Sequence, residues 1–242
     1  DETMKGTKGP GTDTITPGTG DDLMTGGTGG TNIYVWTEDD ASAGDTITDL
    51  DDAPDTTVNQ FNITVTDDFS GTVNPNAAGN GAVLTGLDSI VISDTRTATF
   101  AGVQVDGLTL SVTEGTAGTG NEAAFFTVTA TAGAETDLSS VTAGTGVITV
   151  MTGGGDIETL KGTTGVDHIT GAAAIDILTG GGGADKFLFT SGLTLGTDAD
   201  VIKDGSSEDI YAIHTHTGNS LHGNTGTGLV TGDGTALDTV AD

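Results

Sequence analysis

Apolar residues in this chain come in short runs of strand length, separated throughout by clusters of Gly, Asn, Asp and Thr. Over Asn62 to Met151 the runs FNITVT, DSIVIS, TATFAGVQV, LTLSVT, AFFTVTATA, LSSVT and VITVMT each predict a strand. No stretch repeats its apolar positions with convincing helical spacing, and the glycine-rich segments oppose a helix. The pattern predicts an all-β chain.

On either side of that region the pattern becomes periodic. KGPGTDTIT, PGTGDDLMT and GGTGGTNIY follow one another from Lys8 to Tyr34, and GTTGVDHIT, GAAAIDILT and GGGGADKFL from Gly162 to Leu188. The sixth position carries Asp13, Asp22, Asp167, Asp176 and Asp185, with Thr31 the exception. The eighth is always apolar: Ile15, Met24, Ile33, Ile169, Leu178 and Phe187. Gly-rich positions supply a turn, and the last three residues make a short strand with one inward side chain. Two nonapeptides then close one coil, so residues eighteen apart, such as Asp167 and Asp185, stack about 4.8 Å above one another. Carboxylates at that spacing repel unless a cation lies between them, where turn carbonyls can complete a shell of oxygens. Calcium suits such a shell.

These repeats resemble the hemolysin-type calcium-binding (RTX) nonapeptide family, whose motif GGxGxDxUx is matched most fully by GGGGADKFL. The resemblance implies a right-handed parallel β-roll with calcium between turns. Ala172, Ala173 and Ala174 replace glycines and Thr31 replaces an Asp, so those two turns are expected to bind weakly. Each array is followed by an apolar cluster able to cap a coil end, then by GDTITDL (Gly44 to Leu50) or ADVIKDG (Ala199 to Gly205). Similar segments close the roll in the family and add a terminal cation site, which makes Asp45, Asp49, Asp200 and Asp204 further candidates.

A longer period joins the two arrays, since ETMKGT at Glu2 to Thr7 matches ETLKGT at Glu158 to Thr163. One and a half copies of a larger unit are therefore expected. The expected divisions are residues 1–57, a first array with its closing segment; 58–157, a strand-rich middle; 158–213, the second array; and 214–242, a polar strand and loop region. For the middle, an irregular parallel β-helix competes with an antiparallel β-sandwich, and phrases such as GLDSIVIS resemble bacterial surface-layer proteins and favour the former. The chain opens on Asp1 rather than Met, which suggests processing or a window from a longer protein. The strand VITVMTGG that precedes the second ETLKGT phrase has no counterpart before the first, so a preceding segment or a neighbouring subunit is expected there.

Charge narrows the function. Asp and Glu number 35 against 6 Lys and Arg, a net charge of −29, which disfavours nucleic acid and anionic lipid surfaces and favours cations. Adaptation to high salt would also produce acidity but leaves the repeats unexplained. A solvated surface accounts for Glu38, Asp39, Asp51 and Asp52, but not for carboxylates every nine residues in glycine turns. There is no cysteine, so bound ions must replace disulfides as staples if the protein is secreted. No apolar run is long enough to span a bilayer.

Catalytic motifs are lacking. Neither HExxH nor GxSxG occurs, and GNSLHG (Gly218 to Gly223) lacks a glycine of the nucleophile elbow. His214, His216 and His222 read as a polar strand and loop, and His168 as an outward side chain. The expected protein is not an enzyme but an extracellular, calcium-stabilised structural subunit of a bacterial surface layer, filament or matrix, exported by a type I route. Its expected partners are copies of itself and, secondarily, a cell-surface polysaccharide. An extender repeat of a giant RTX adhesin and the secretion-directing tail of a hydrolase are the rivals.

Overall fold

The computed structural model describes residues 2–17, 22–37, 46–48, 57–69, 86–115, 122–189 and 200–213. The first strands are β1 (Thr3–Lys5), β2 (Thr12–Ile15), β3 (Leu23–Thr25), β4 (Gly30–Trp36), β5 (Thr46–Thr48), β6 (Thr57–Ile63) and β7 (Asp67–Asp68). Then come β8 (Ser89–Ser93), β9 (Thr97–Ala101), one helical turn α1 (Gly102–Val105), β10 (Ser111–Gly115), β11 (Ala124–Thr129), β12 (Glu135–Asp137), β13 (Thr142–Ala143) and β14 (Val147–Thr152). The last are β15 (Thr159–Lys161), β16 (Val166–Thr170), β17 (Ile177–Thr179), β18 (Lys186–Phe189), β19 (Val201–Ile202) and β20 (Ile210–Ile213). Among the described residues no helix is long and apolar enough to cross a membrane.

The chain is almost all β, as its pattern predicts, and its sheets are parallel. Strands β1-β3-β5 form one sheet and β13-β10-β8-β6-β4-β2 a second; β20-β18-β16-β14-β11-β9-β7 form a third and β12-β15-β17-β19 a fourth. Successive strands mostly alternate between sheets, so each later strand is laid beside one placed a turn of the chain earlier. Every strand pairing among the described residues is parallel, so the antiparallel alternative for the middle is not what forms there. Pairing also runs without a break across residues 57 and 157, through β4–β6 and β14–β16.

Stacking in register lines the inward positions into columns. Phe100, Val128, Met151, Ile169, Phe187 and Tyr211 form one such column across β9, β11, β14, β16, β18 and β20. Aromatic rings reinforce the middle. Phe69 lies 5.5 Å from Trp36, 5.3 Å from Phe61 and 5.1 Å from Phe100, the last stacked at 18°. The clusters expected to cap coil ends do not do so. Trp36 and Phe187 are buried on strands covered on both sides, because large rings remove more apolar area from water inside the stack than at its end.

Two details depart from expectation. The run TATFAGVQV is strand only to Ala101; α1 follows, with the Gln104 side chain accepting from Ala101 N and donating to the Phe69 carbonyl. In the first array the register slips by one. Thr12 faces Thr31 and Asp13 faces Asn32, nineteen residues on, whereas Ile169 faces Phe187 at the expected eighteen. Asn32, Tyr34 and Trp36 therefore point inward, and Ile33 does not take the buried position assigned to it. A one-residue shift swaps strand faces, and burying Tyr34 and Trp36 removes more apolar surface than burying Ile33 and Val35.

The glycine turns explain the spacing. Gly181 and Gly183 have φ of 98° and 104°, and a Cβ on either would collide with the Thr163 or Gly165 carbonyl of the turn beneath. In the middle repeat, Ala172 and Ala174 hold the same left-handed conformation, at 76° and 81°. Each costs on the order of 1 kcal/mol relative to glycine. The double change Ala172→Gly with Ala174→Gly is expected to raise the thermal midpoint by several degrees in saturating calcium; a lower midpoint would contradict that account.

Candidate cation-binding columns

In the second array the first inward residue after each turn is a carboxylate: Asp167, Asp176 and Asp185, with Glu158 just before β15. On the second array, Thr149, Asp167, Asp185 and Asp209 stack in register along β14, β16, β18 and the approach to β20. Asp185 Oδ1 accepts from Asp167 N at 3.0 Å, and Asp209 Oδ1 from Asp185 N at 3.1 Å. The lower oxygens turn back to their own loops: Asp167 accepts from Thr163 N at 2.9 Å and from its hydroxyl. On the opposite edge Glu158, Asp176 and Asp200 repeat the arrangement, with Asp176 Oδ1 accepting from Glu158 N at 2.8 Å and Asp200 Oδ1 from Asp176 N at 3.0 Å. Asp204 accepts from both Gly180 N and Gly181 N at 2.8 Å, tying the closing segment to the last glycine turn.

These carboxylates are short of positive charge. Asp167 and Asp176 are fully buried and Asp185 nearly so, and among the described residues no ion pair reaches any of them. Asp176 Oδ2 has no hydrogen-bond partner. Burial and the neighbouring Asp185 push the Asp167 pKa up to about 8. Burial, with Asp200 and Glu158 nearby, raises Asp176 to about 6, and burial with Asp209 and Asp204 raises Asp185 to about 6. Backbone N–H donors lower these values without overcoming burial.

Elsewhere the protein solves the same problem internally. In the first array the column beginning at Asp13 continues as Asn32, Asn59 and Asp88. Asn32 donates from Nδ2 to Asn59 Oδ1 at 3.0 Å, and its Oδ1 accepts from Gly27 N; Asn59 donates to the Gly86 carbonyl. Asp88 in turn accepts from Asn59 N at 2.7 Å. Amides stack without charge. At β12, Asp106 accepts from Asp137 N, and the Lys161 ammonium one strand along binds both Asp137 and Glu135. Burial alone would raise Asp137, but Lys161 and Ser139 outweigh it and hold its pKa below the usual range; both carboxylates raise Lys161.

Of the residues singled out in the sequence, Asp167 and Asp185 are thus brought together, as are Asp176 and Asp200. Asp22 is buried and accepts from Glu2 N at 2.6 Å, while Asp13 accepts from Thr7 N and the Thr7 hydroxyl. These bonds reproduce those of Asp176 with Glu158 and of Asp167 with Thr163, so the matching phrases fold alike. Asp45, Asp49, His214, His216 and His222 lie outside the described residues. His168 is half-buried beside Lys186; burial and that ammonium depress its pKa. Glu158, Asp209, Asn32, Asn59 and Asp88 were not anticipated. Running the nine-residue period back from Gly162 gives GGGDIETLK, with Glu158 sixth and Leu160 eighth, which would have found the first of them.

Among the described residues no three carboxylate or imidazole groups converge closely enough to hold an ion by themselves. A cation between two turns would need carbonyl or water oxygens as well as the stacked carboxylates. No protein-family model, curated protein or solved structure matches the chain.

Proposed function

We propose that this protein is a secreted, calcium-stabilised structural unit of a bacterial surface layer, extracellular filament or matrix. In this reading its second array is a calcium-bound parallel β-roll continuous with a β-helix-like middle, and it has no catalytic role. The observation that carries it is the pair of carboxylate columns in glycine turns, Asp167–Asp185–Asp209 and Glu158–Asp176–Asp200, in which Asp167, Asp185, Glu158 and Asp176 are buried and which lack the amide or lysine neutralisation found elsewhere in the same chain. An oxygen-rich site with buried, uncompensated negative charge suits a hard divalent cation. Asp167, Asp176, Asp185, Asp200 and Asp204 would hold the ion with turn carbonyls, and the ion would supply only charge and cross-linking. Extracellular calcium modules have Kd near 10⁻⁴ to 10⁻³ M, so each site contributes about 0.4 to 1.4 kcal/mol at 1 mM calcium, and several must act together.

Calcium would also screen repulsion between copies that each carry −29, which links ion binding to self-assembly. Titration calorimetry is expected to show several calcium ions bound per chain, with affinity reduced at least several-fold by Asp185→Ala. Circular dichroism that does not change on chelation, in protein shown to be calcium-free, would sink the proposal.

A further inference from the structure

We propose that from residue 30 onward calcium orders only the coils beyond β15, and that residues 30–37, 57–69, 86–115 and 122–161 form a base whose fold needs no cation. This inference rests on the calcium reading above and adds where the ion acts. The base is neutralised from within. Its polar column passes through Asn59, whose side chain bonds Asn32 and the Gly86 carbonyl, and its lower edge is closed by the Lys161 ammonium on Glu135 and Asp137. Its interior is the Trp36, Phe61, Phe69, Phe100 and Phe126 cluster, with consecutive ring centroids 5.1 to 5.6 Å apart.

Glu158 marks the change. It occupies the sixth position of a nine-residue repeat, where its neighbour up the column is Asp176, yet its longer side chain reaches back to accept from Gly133 N at 3.0 Å and Gly154 N at 3.1 Å. A glutamate thus closes the last turn of the base with two backbone donors. One coil further on, shorter aspartates leave the buried Asp176 Oδ2 without a partner. On the other edge the switch occurs in a single register step, from Phe126 and Thr149 to Asp167 and Asp185. Strands β16 to β20 therefore have a preformed edge to grow from, at β14 and β15, and lack only the charge that would let their turns close.

Hydrogen exchange of the full chain, read by mass spectrometry at pH 7.5 in 5 mM calcium chloride and in excess EGTA, tests this. Peptides from β8, β10 and β11 are expected to exchange alike in both, within about two-fold, while those from β16, β17 and β18 exchange at least tenfold faster in EGTA. If all peptides lose protection in EGTA, the boundary is wrong although the calcium reading survives. If all keep it, the calcium reading itself fails. The variant Asn59→Asp places a carboxylate directly on Asp88 and is expected to make β6 and β8 exchange faster in EGTA than in calcium. Equal protection of that variant in the two buffers would overturn the role given to the amide column.

Discussion

In calcium-free buffer, the coils carrying Asp167, Asp176 and Asp185 are expected to gain β-structure as the pH falls from 8 to 5. Burial and stacked like charges raise these carboxyls to about 8, 6 and 6, whereas in an unfolded chain each titrates near 3.8. Between about pH 4 and pH 8 the folded coils therefore bind more protons than the unfolded chain. Their stability is fully present below pH 4 and is lost as the pH climbs through 6 and then 8. Asp167 alone contributes on the order of 5 kcal/mol across that window. Calcium should reverse the sense of the pH effect, since the ion must displace those protons and binds better as the pH rises. Far-ultraviolet circular dichroism at pH 5, 6.5 and 8, in EGTA and in calcium, checks both halves. A flat apo profile would mean that the columns are solvated rather than buried.

Phe69→Ala should be the most damaging change in the base, lowering stability by about 3 to 5 kcal/mol. Phe69 touches Trp36, Phe61 and Phe100, so its loss opens a cavity at the centre of the aromatic cluster. Against a total stability of about 5 to 15 kcal/mol, the effect approaches unfolding. Trp36 is the single tryptophan and sits against the deleted ring, so its fluorescence during urea unfolding reports the loss directly. The midpoint should fall with or without calcium, because Phe69 lies in the base while the stacked Asp167, Asp176 and Asp185 lie beyond β15. An unchanged midpoint would show that the rings are passengers rather than core.

The parallel, all-β character was legible because it rests on short local signals: nine-residue spacing, glycine turns and inward apolar positions. Ile169, Leu178 and Phe187 are buried where the period places them. The Asn32 register was not legible, because the period counts residues while the fold counts buried area, and Tyr34 with Trp36 outbid Ile33. Glu158 was hidden by chemistry: a glutamate does not match the aspartate of the motif, although its extra methylene is what lets it reach two turn amides. Asp209 and Asp88 escaped because their partners are strands 24 and 29 residues away, with connections of irregular length. Lys161 stood in plain view inside ETLKGT, but only the pairing of β12 with β15 reveals which carboxylates it meets.

The register that sets Ile169 over Phe187 also fixes how this chain can change length. Each of these coils touches only the coil above and the coil below. Loss of residues 162–179 would seat Asp185 on Thr149, Phe187 on Met151 and Asp200 on Glu158, leaving both columns and the interior continuous. Loss of nine residues would instead carry each following strand to the opposite sheet and break every connection to the turns. Although the written period is nine, the heritable quantum of growth is one whole coil, so related chains should differ in the array by multiples of eighteen residues.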